Sequence, residues 1–338
     1  MTNGETVAQF ERKFAAFVGA KYAIAVCNGT ATLHTALAAL NVQSGVRVAV
    51  PPLTMASTSL AVLHAGAIPY YVDIDPDLWI MQPPPRGMVA IPVALYGLVP
   101  GREWYESTSN LVVLDAAQTL APHSVGASFT SYSFQASKIL PLGEGGMLVT
   151  NSEYLAITAR RFASLGYALE ADQPRIDPEA LKSPTYRRHQ TLGYNYRMSD
   201  IVAAEGIRKL QTVNAAIYDR AMAASLYADT VHGVPWLAPQ TVPERWRHDY
   251  WTYAVAADTP ERAAALADAI VAHGGERPYA AWLLSYQELP VQIRLDAQPR
   301  CPVAERLQPR LLQFQTNDLP QAVTNATALR AAIRDLGA

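Results

Sequence analysis

Apolar residues recur at Val7, Phe10, Phe14 and Phe17, the spacing of one helix face, so residues 7–18 are predicted as a helix. Residues 21–26 read as a buried strand, broken by Asn28-Gly-Thr30, and the small and apolar residues 31–39 read as a second helix. The rhythm repeats. Residues 46–50 form a strand stopped by Pro51-Pro52, 57–65 a helix, and 68–74 a strand ending at Asp73-Ile-Asp75, with further strands over 88–95 and 111–114. Nearly continuous apolar strands alternating with helices predict a mainly parallel sheet covered on both faces, whose ligands gather beyond the carboxyl ends of the strands. Asn28-Gly-Thr30 and Asp115 both fall at such ends.

After Gly146-Met-Leu-Val-Thr150 the pattern turns helical over 152–165. A polar, proline-containing excursion follows over 171–190, then one or two long helices over 198–227. Beyond Val234-Pro235 the character changes: a strand over 250–256, an alanine-rich helix over 260–273 and a closing helix over 322–336. The expectation is therefore an α/β chain with a large domain over 1–225 and a smaller C-terminal α+β domain over 226–338.

The bulk properties narrow the function. The 338 residues suffice for a large core, and half are apolar with 17% charged, as in a globular enzyme. A net charge of −2 supplies no basic field for nucleic acid or an anionic membrane, and no apolar run is long enough to span a bilayer. Two cysteines, Cys27 and Cys301, do not make a disulfide framework, and the first residues lack the pattern of a secretion signal, so a cytoplasmic protein is expected.

The candidate chemistry centres on Lys138. It sits in Ser131-Tyr-Ser-Phe-Gln-Ala-Ser-Lys138-Ile-Leu, a stretch poor in charge and followed by Gly143-Glu-Gly-Gly146. Desolvation lowers a lysine's pKa and frees its amine to attack a carbonyl, which suits a Schiff base with an aldehyde cofactor. Asp115 ends the apolar run 111–114 and suits an ion pair with a protonated ring nitrogen, although such a residue equally serves as a cap or turn. Gln118, placed one helical turn on, is a candidate for the ring's phenolic oxygen. Asn28-Gly29-Thr30 opens a helix after a strand, the arrangement that holds a phosphate, and is equally read as an ordinary strand-to-helix turn. Ser133 offers a further hydroxyl to a phosphate.

With these stretches in order, the chain resembles the DegT/DnrJ/EryC1/StrS family of pyridoxal-phosphate-dependent sugar aminotransferases. The matching blocks are Cys27-Asn-Gly-Thr-Ala-Thr-Leu-His34, Gly66-Ala-Ile-Pro-Tyr-Tyr-Val-Asp73, Asp115-Ala-Ala-Gln118, Ser133-Phe-Gln-Ala-Ser-Lys138, Gly143-Glu-Gly-Gly146 and Leu192-Gly-Tyr-Asn-Tyr-Arg-Met-Ser-Asp200. The resemblance implies a fold-type-I architecture and a homodimer with active sites shared between subunits. It implies pyridoxal 5′-phosphate as cofactor and no metal, with Lys138 and Asp115 as the catalytic pair. Gly29, Thr30 and Ser133 would hold the phosphate, Gln118 the phenolic oxygen, and Asn195 the phosphate of the partner subunit. The implied reaction moves an amine from an amino acid, usually glutamate, to a keto-sugar or keto-cyclitol, commonly nucleotide-linked.

Some positions depart from the family pattern. Met55 stands in Pro52-Leu-Thr-Met-Ala-Ser-Thr58 where an aromatic residue usually stacks on the cofactor ring, and a thioether packs there at roughly 0.3–1.5 kcal/mol. Ala94 replaces a histidine in Val93-Ala-Leu-Tyr-Gly97, and Gln313-Phe-Gln-Thr-Asn-Asp318 lacks the expected apolar-proline pattern. These changes lie on the substrate side. They keep open a non-sugar keto substrate of specialised metabolism, and, as a separate class, a non-catalytic regulator built on the same fold. A dehydratase of the same family would carry histidine at the position of Lys138. Tyr96, His189, Arg188, Trp251 and Tyr253 lie in plausible substrate segments and are read as structural.

Overall fold

The computed structural model describes residues 4–108, 111–171, 176–295, 297 and 299–337. Its larger sheet has seven strands: β1 Tyr22–Val26, β2 Arg47–Val50, β3 Ile68–Tyr71, β4 Val89–Ala90, β5 Leu111–Asp115, β6 Phe129–Ser133 and β7 Gly146–Thr150. They lie in the order β1-β7-β6-β5-β4-β2-β3. The pairs among β2, β3, β4, β5 and β6 are parallel, and β7 runs antiparallel to both of its neighbours. The mainly parallel, helix-covered sheet expected from the apolar runs is present.

Alternate residues of these strands feed different cores. Ala23, Val112, Leu114, Met147 and Val149 point into one, while Ile24, Val26, Val113 and Leu148 point into the other. Helices α1 Glu5–Val18, α2 Gly29–Ala39, α3 Ser57–His64, α4 Arg102–Glu106, α5 Glu153–Ala163, α6 Asp200–Leu210 and α7 Val213–Val231 surround the sheet. Phe10 and Phe14 of α1 are fully buried against Phe134 and Tyr132 in edge-on and tilted ring contacts. A buried ion pair ties α1 to α5: Arg160 Nη1 lies 3.0 Å from the Glu11 carboxylate, which also accepts the Ala25 N–H at 2.8 Å. Removing one partner would strand a buried charge, at a cost of about 3–5 kcal/mol.

A second, four-stranded sheet follows, built from β8 Leu237–Pro239, β9 Thr252–Ala257, β10 Tyr279–Ala280 and β11 Leu311–Gln315, all antiparallel, in the order β10-β11-β9-β8. The helices here are α8 Pro260–Ala272, α9 Leu289–Gln292, α10 Pro302–Leu307 and α11 Leu319–Asp335. Together with the latter half of α7, this sheet encloses its own core, in which Tyr227, Tyr253 and Phe314 stack.

The structure departs from the sequence pattern in instructive places. The third strand stops at Tyr71, with Ile74 making only an isolated bridge to Met81. Only Val89 and Ala90 of the stretch 88–95 join a ladder, because Pro92 has no N–H to give and Tyr96 turns the chain with φ at 62°. Strand β6 carries polar residues into the core. Thr130 and Ser131 are buried, their hydroxyls paired with His123 at 2.8 Å and with Thr32.

Candidate active site

Strand register gathers the chemistry at one edge of the larger sheet. Val26 lies opposite Gly146, Gly146 opposite Ser133, and Asp115 opposite Ser131. A cavity of about 910 Å³ opens there, within the size range of small-molecule sites. Its lining includes Gly29, Thr30, Met55, Asp115, Gln118, Ser133 and Lys138, seven of the eight residues picked out from the sequence. Asn195, the eighth, is exposed on a segment whose neighbour Tyr196 reaches the cavity, and it does not itself line it.

One end of the cavity is the start of α2. The Asn28 side chain accepts the Ala31 N–H at 2.8 Å and fixes the first turn, leaving the Gly29 and Thr30 amides at the helix's positive end. Closeness here demands glycine twice. A β-carbon on Gly29 would lie 2.8 Å from Ser133 Cβ, and one on Gly146 would lie 2.6 Å from the Asn28 carbonyl oxygen. The result is a cradle of backbone amides and hydroxyls, walled by Ser133, suited to a phosphate.

Asp115 closes β5 and is 4% exposed. Thr58 Oγ1 donates to Oδ2 at 2.9 Å and the Ala117 N–H to Oδ1 at 3.1 Å. Burial raises its pKa, opposed by these two hydrogen bonds and by the charge of Lys138. No ion pair engages this carboxylate among the described residues. A buried carboxylate at the cavity wall, hydrogen-bonded but in no close ion pair among the described residues, fits a protonated ring nitrogen. Gln118 stands in a turn, not a helix, and its Oε1 accepts the Tyr96 N–H, so its amide N–H₂ remains for a ligand at the cavity wall.

Lys138 is half-buried between Ile139, Leu140 and the cavity. Burial lowers its amine pKa, and the Asp115 charge only partly opposes this. Its Nζ lies over the Trp251 indole, 4.5 Å from the ring centroid, and Trp251 Nε1 donates to the Ser137 carbonyl at 2.8 Å. The residues therefore fit the cofactor implied by the sequence: a poised amine, a buried carboxylate and a phosphate cradle share one cavity.

Sequence reasoning missed Thr58, Trp251 and Trp282 as members of this site. Thr58 stands in the segment already singled out at Met55, but its pairing with Asp115 is a tertiary contact that no spacing reveals. Trp251 was assigned a structural role. Of the other residues read that way, Tyr253 is buried in the second core, and Tyr96 is fully buried with its hydroxyl unpartnered among the described residues. His189 is exposed, near the Leu165 carbonyl and Tyr167.

Comparison with known proteins places this geometry. The structure superposes on NtdA from Bacillus subtilis, solved with bound cofactor PMP, with a TM-score of 0.85 over 98% of this chain and 78% of that one, at 21% identity. It superposes on 3-amino-5-hydroxybenzoic acid synthase with a TM-score of 0.83 at 26% identity, covering 98% of this chain and 91% of that one. In sequence, GDP-perosamine synthase of Caulobacter vibrioides is 31% identical over 277 residues, which is 75% of this chain and 69% of that protein. Fold and site together define a fold-type-I transferase of the pyridoxal-phosphate-dependent class. The profile of the DegT/DnrJ/EryC1/StrS aminotransferase family matches residues 1–319, and the chain belongs to that family.

Proposed function

We propose that this chain is an amino-sugar biosynthetic aminotransferase that uses pyridoxal 5′-phosphate to move an amine from glutamate to a keto-sugar or keto-cyclitol carried on a nucleotide. The observation that carries the reading is the meeting of Lys138 and Asp115 in one cavity beside the α2 cradle. When bound, the cofactor supplies an electron-withdrawing ring that stabilises the carbanion left at a substrate Cα. Asp115 holds the proton on the ring nitrogen. Lys138, whose pKa burial lowers, would carry the proton between the substrate Cα and the cofactor's C4′ atom. Gly29, Thr30 and Ser133 would hold the phosphate, Gln118 the phenolic oxygen, and Met55 would pack against the ring.

The working unit is a homodimer, in which Asn195 serves the phosphate of the partner subunit. Exposed Leu192 and Ile201 flank that segment and support burial against a second copy. Within each subunit, residues 1–225 form the cofactor domain and 226–338 the smaller one; the separate core around Tyr227 and Phe314 supports the division, while Leu284, Tyr286, Ala304 and Leu307 pack into the larger core. Both cysteines are free, in keeping with a reducing, cytoplasmic setting.

The test is optical. Protein supplied with the cofactor gains a visible absorption band that glutamate bleaches, with release of 2-oxoglutarate. A protein that takes up the cofactor without bleaching refutes the reading. A second acceptor class, a non-sugar ring, draws on the likeness to 3-amino-5-hydroxybenzoic acid synthase and on Met55 and Ala94.

A further inference from the structure

The chain between β10 and β11 does not stay with its own sheet. It leaves at Trp282, which lines the cavity and stacks on Trp251 at 5.9 Å between ring centroids, and then enters the larger core. Leu284, Ser285 and Tyr286 are each at most 1% exposed there. Apolar burial accounts for Leu284 and for the Tyr286 ring. It does not account for Ser285, whose hydroxyl burial penalises unless a partner meets it.

That partner is specific. The Ser285 N–H donates to the Pro52 carbonyl at 2.8 Å, and its Oγ donates to the Thr54 carbonyl at 3.2 Å from 231 positions away. Both acceptors lie between β2 and α3, outside either element, in the segment whose Thr54, Met55 and Ser57 line the cavity. No backbone amide serves the Thr54 carbonyl among the described residues. A second contact from the same strap reaches the same segment. The Tyr286 ring meets Tyr71 edge-on at 5.1 Å, and the Tyr71 hydroxyl donates to Ser59 Oγ at 2.8 Å, beside the Thr58 that holds Asp115.

We propose that Ser285 is a positioning residue for the cofactor: it fixes the Thr54–Met55 turn against the cavity without itself lining it. This deepens the function proposed above and rests on it, since Met55 is the residue set to pack against the ring. Loss of the hydroxyl keeps the bond to Pro52 and strands the Thr54 carbonyl, so the turn loosens at Met55. Lys138, Asp115 and the phosphate cradle keep their places. Ser285 thereby ties the smaller domain's cavity wall at Trp282 to the seat of the ring.

The test compares Ser285→Ala with Tyr286→Phe, which loses the bond to Glu305 at 2.8 Å and keeps a ring on Tyr71. The readouts are hydrogen exchange of residues 52–58 in the cofactor-free protein, equilibrium dialysis of pyridoxal 5′-phosphate, and visible circular dichroism per cofactor bound. Ser285→Ala should speed the exchange, raise the cofactor's Kd about two- to tenfold and weaken the dichroism. Ser285→Cys, a weaker donor of similar shape, should fall between it and the wild type, and it carries the same readouts if Ser285→Ala does not fold. Tyr286→Phe should lower the melting temperature and move neither the Kd nor the dichroism. Wild-type Kd and dichroism in Ser285→Ala overturn the proposal, even with faster exchange. Equal changes in Tyr286→Phe overturn it too, because lost stability alone then explains them. Protein that glutamate bleaches but whose dichroism ignores Ser285 leaves the aminotransferase reading standing without the positioning role. Ser285-dependent dichroism in protein that glutamate does not bleach supports the positioning role and refutes that reading.

Discussion

Gly29 and Ser133 approach so closely that a single added methyl group cannot fit between them: a β-carbon on Gly29 would meet Ser133 Cβ at 2.8 Å and Oγ at 3.1 Å. The contact joins the first turn of α2 to the end of β6, so the phosphate cradle has one permitted width. Gly29→Ala is expected to push the two elements apart, at roughly 1–3 kcal/mol of stability, and to weaken cofactor retention more than its melting point suggests. Ser133→Gly in the same chain should recover the melting point and not the retention, because the hydroxyl is gone. Thermal unfolding and equilibrium dialysis of the cofactor separate the two effects. Full retention in Gly29→Ala would remove this end of the cavity from the phosphate site.

Lys138 is an amine held in place against its own solvation. Burial favours the uncharged form, so between the lowered pKa and the ordinary lysine value of 10.5 the unfolded chain binds more protons than the folded one. Stability of the cofactor-free protein should therefore rise with pH across that window and be depressed below it. Lys138→Met removes the penalty. Without cofactor it should melt above the wild type near neutral pH, with the gap closing toward pH 10.5, while amine transfer is abolished. Retained transfer in Lys138→Met would refute the catalytic role.

Asp115 is kept ionisable by Thr58 and the Ala117 N–H despite its burial. Asp115→Asn preserves shape and removes the charge, letting a bound ring nitrogen lose a pKa contribution of about 1–3, hence roughly 10- to 1,000-fold in amine transfer. Thr58→Val should cost less, since only one of the two hydrogen bonds is lost. Stopped-flow rates of glutamate bleaching measure both. Near-wild-type rates in Asp115→Asn would disprove the pairing.

The sequence made the reactive pair legible because each member sits at a punctuation point: Asp115 where an apolar strand ends, Lys138 between a serine-rich strand and a glycine turn. Helix α1 and strand β1 were equally plain from their periodicity. Strand β6 was not, because Thr130 and Ser131 bury hydroxyls whose partners, His123 and Thr32, come from other elements. The same reason hid Thr58 and the Trp251–Trp282 wall. Thr58 meets Asp115 from 57 positions away, and Trp251 meets Ser137 and Lys138 from more than a hundred. Local pattern gives the faces of elements, and packing alone gives which faces meet.

Acid should unfold this protein through its buried imidazoles. Burial holds His34 and His123 at pKa values of about 4 and His248 at about 3, below the ordinary 6.5. The folded state thus binds fewer protons than the unfolded chain between those values and 6.5. Stability present above pH 6.5 is lost progressively as pH falls toward 4 and 3. Denaturant midpoints taken from pH 7 to pH 4.5 should fall steadily, and His123→Asn, which can keep a hydrogen bond to Thr130, should flatten the slope. A midpoint independent of pH over that range would contradict this account.

Asn195 poses the question of how many chains make one site. Its side chain is exposed and outside the cavity, while Tyr196 beside it lines the wall and bonds His34 Nδ1 at 3.0 Å. The chain therefore leaves the cavity rim at Asn195 and presents an amide outward, as a residue serving a second subunit would. Asn195→Ala alone should loosen cofactor binding without changing the fold. Co-expressed with Lys138→Ala chains, it discriminates sharply, because a mixed dimer with shared sites pairs one doubly damaged site with one intact site. Random pairing then restores about a quarter of the wild-type sites. With sites built inside single chains every site keeps one lesion, and activity stays at the level that Asn195→Ala chains supply by themselves. Titration of active sites in the purified mixture by glutamate bleaching reads out which of these holds.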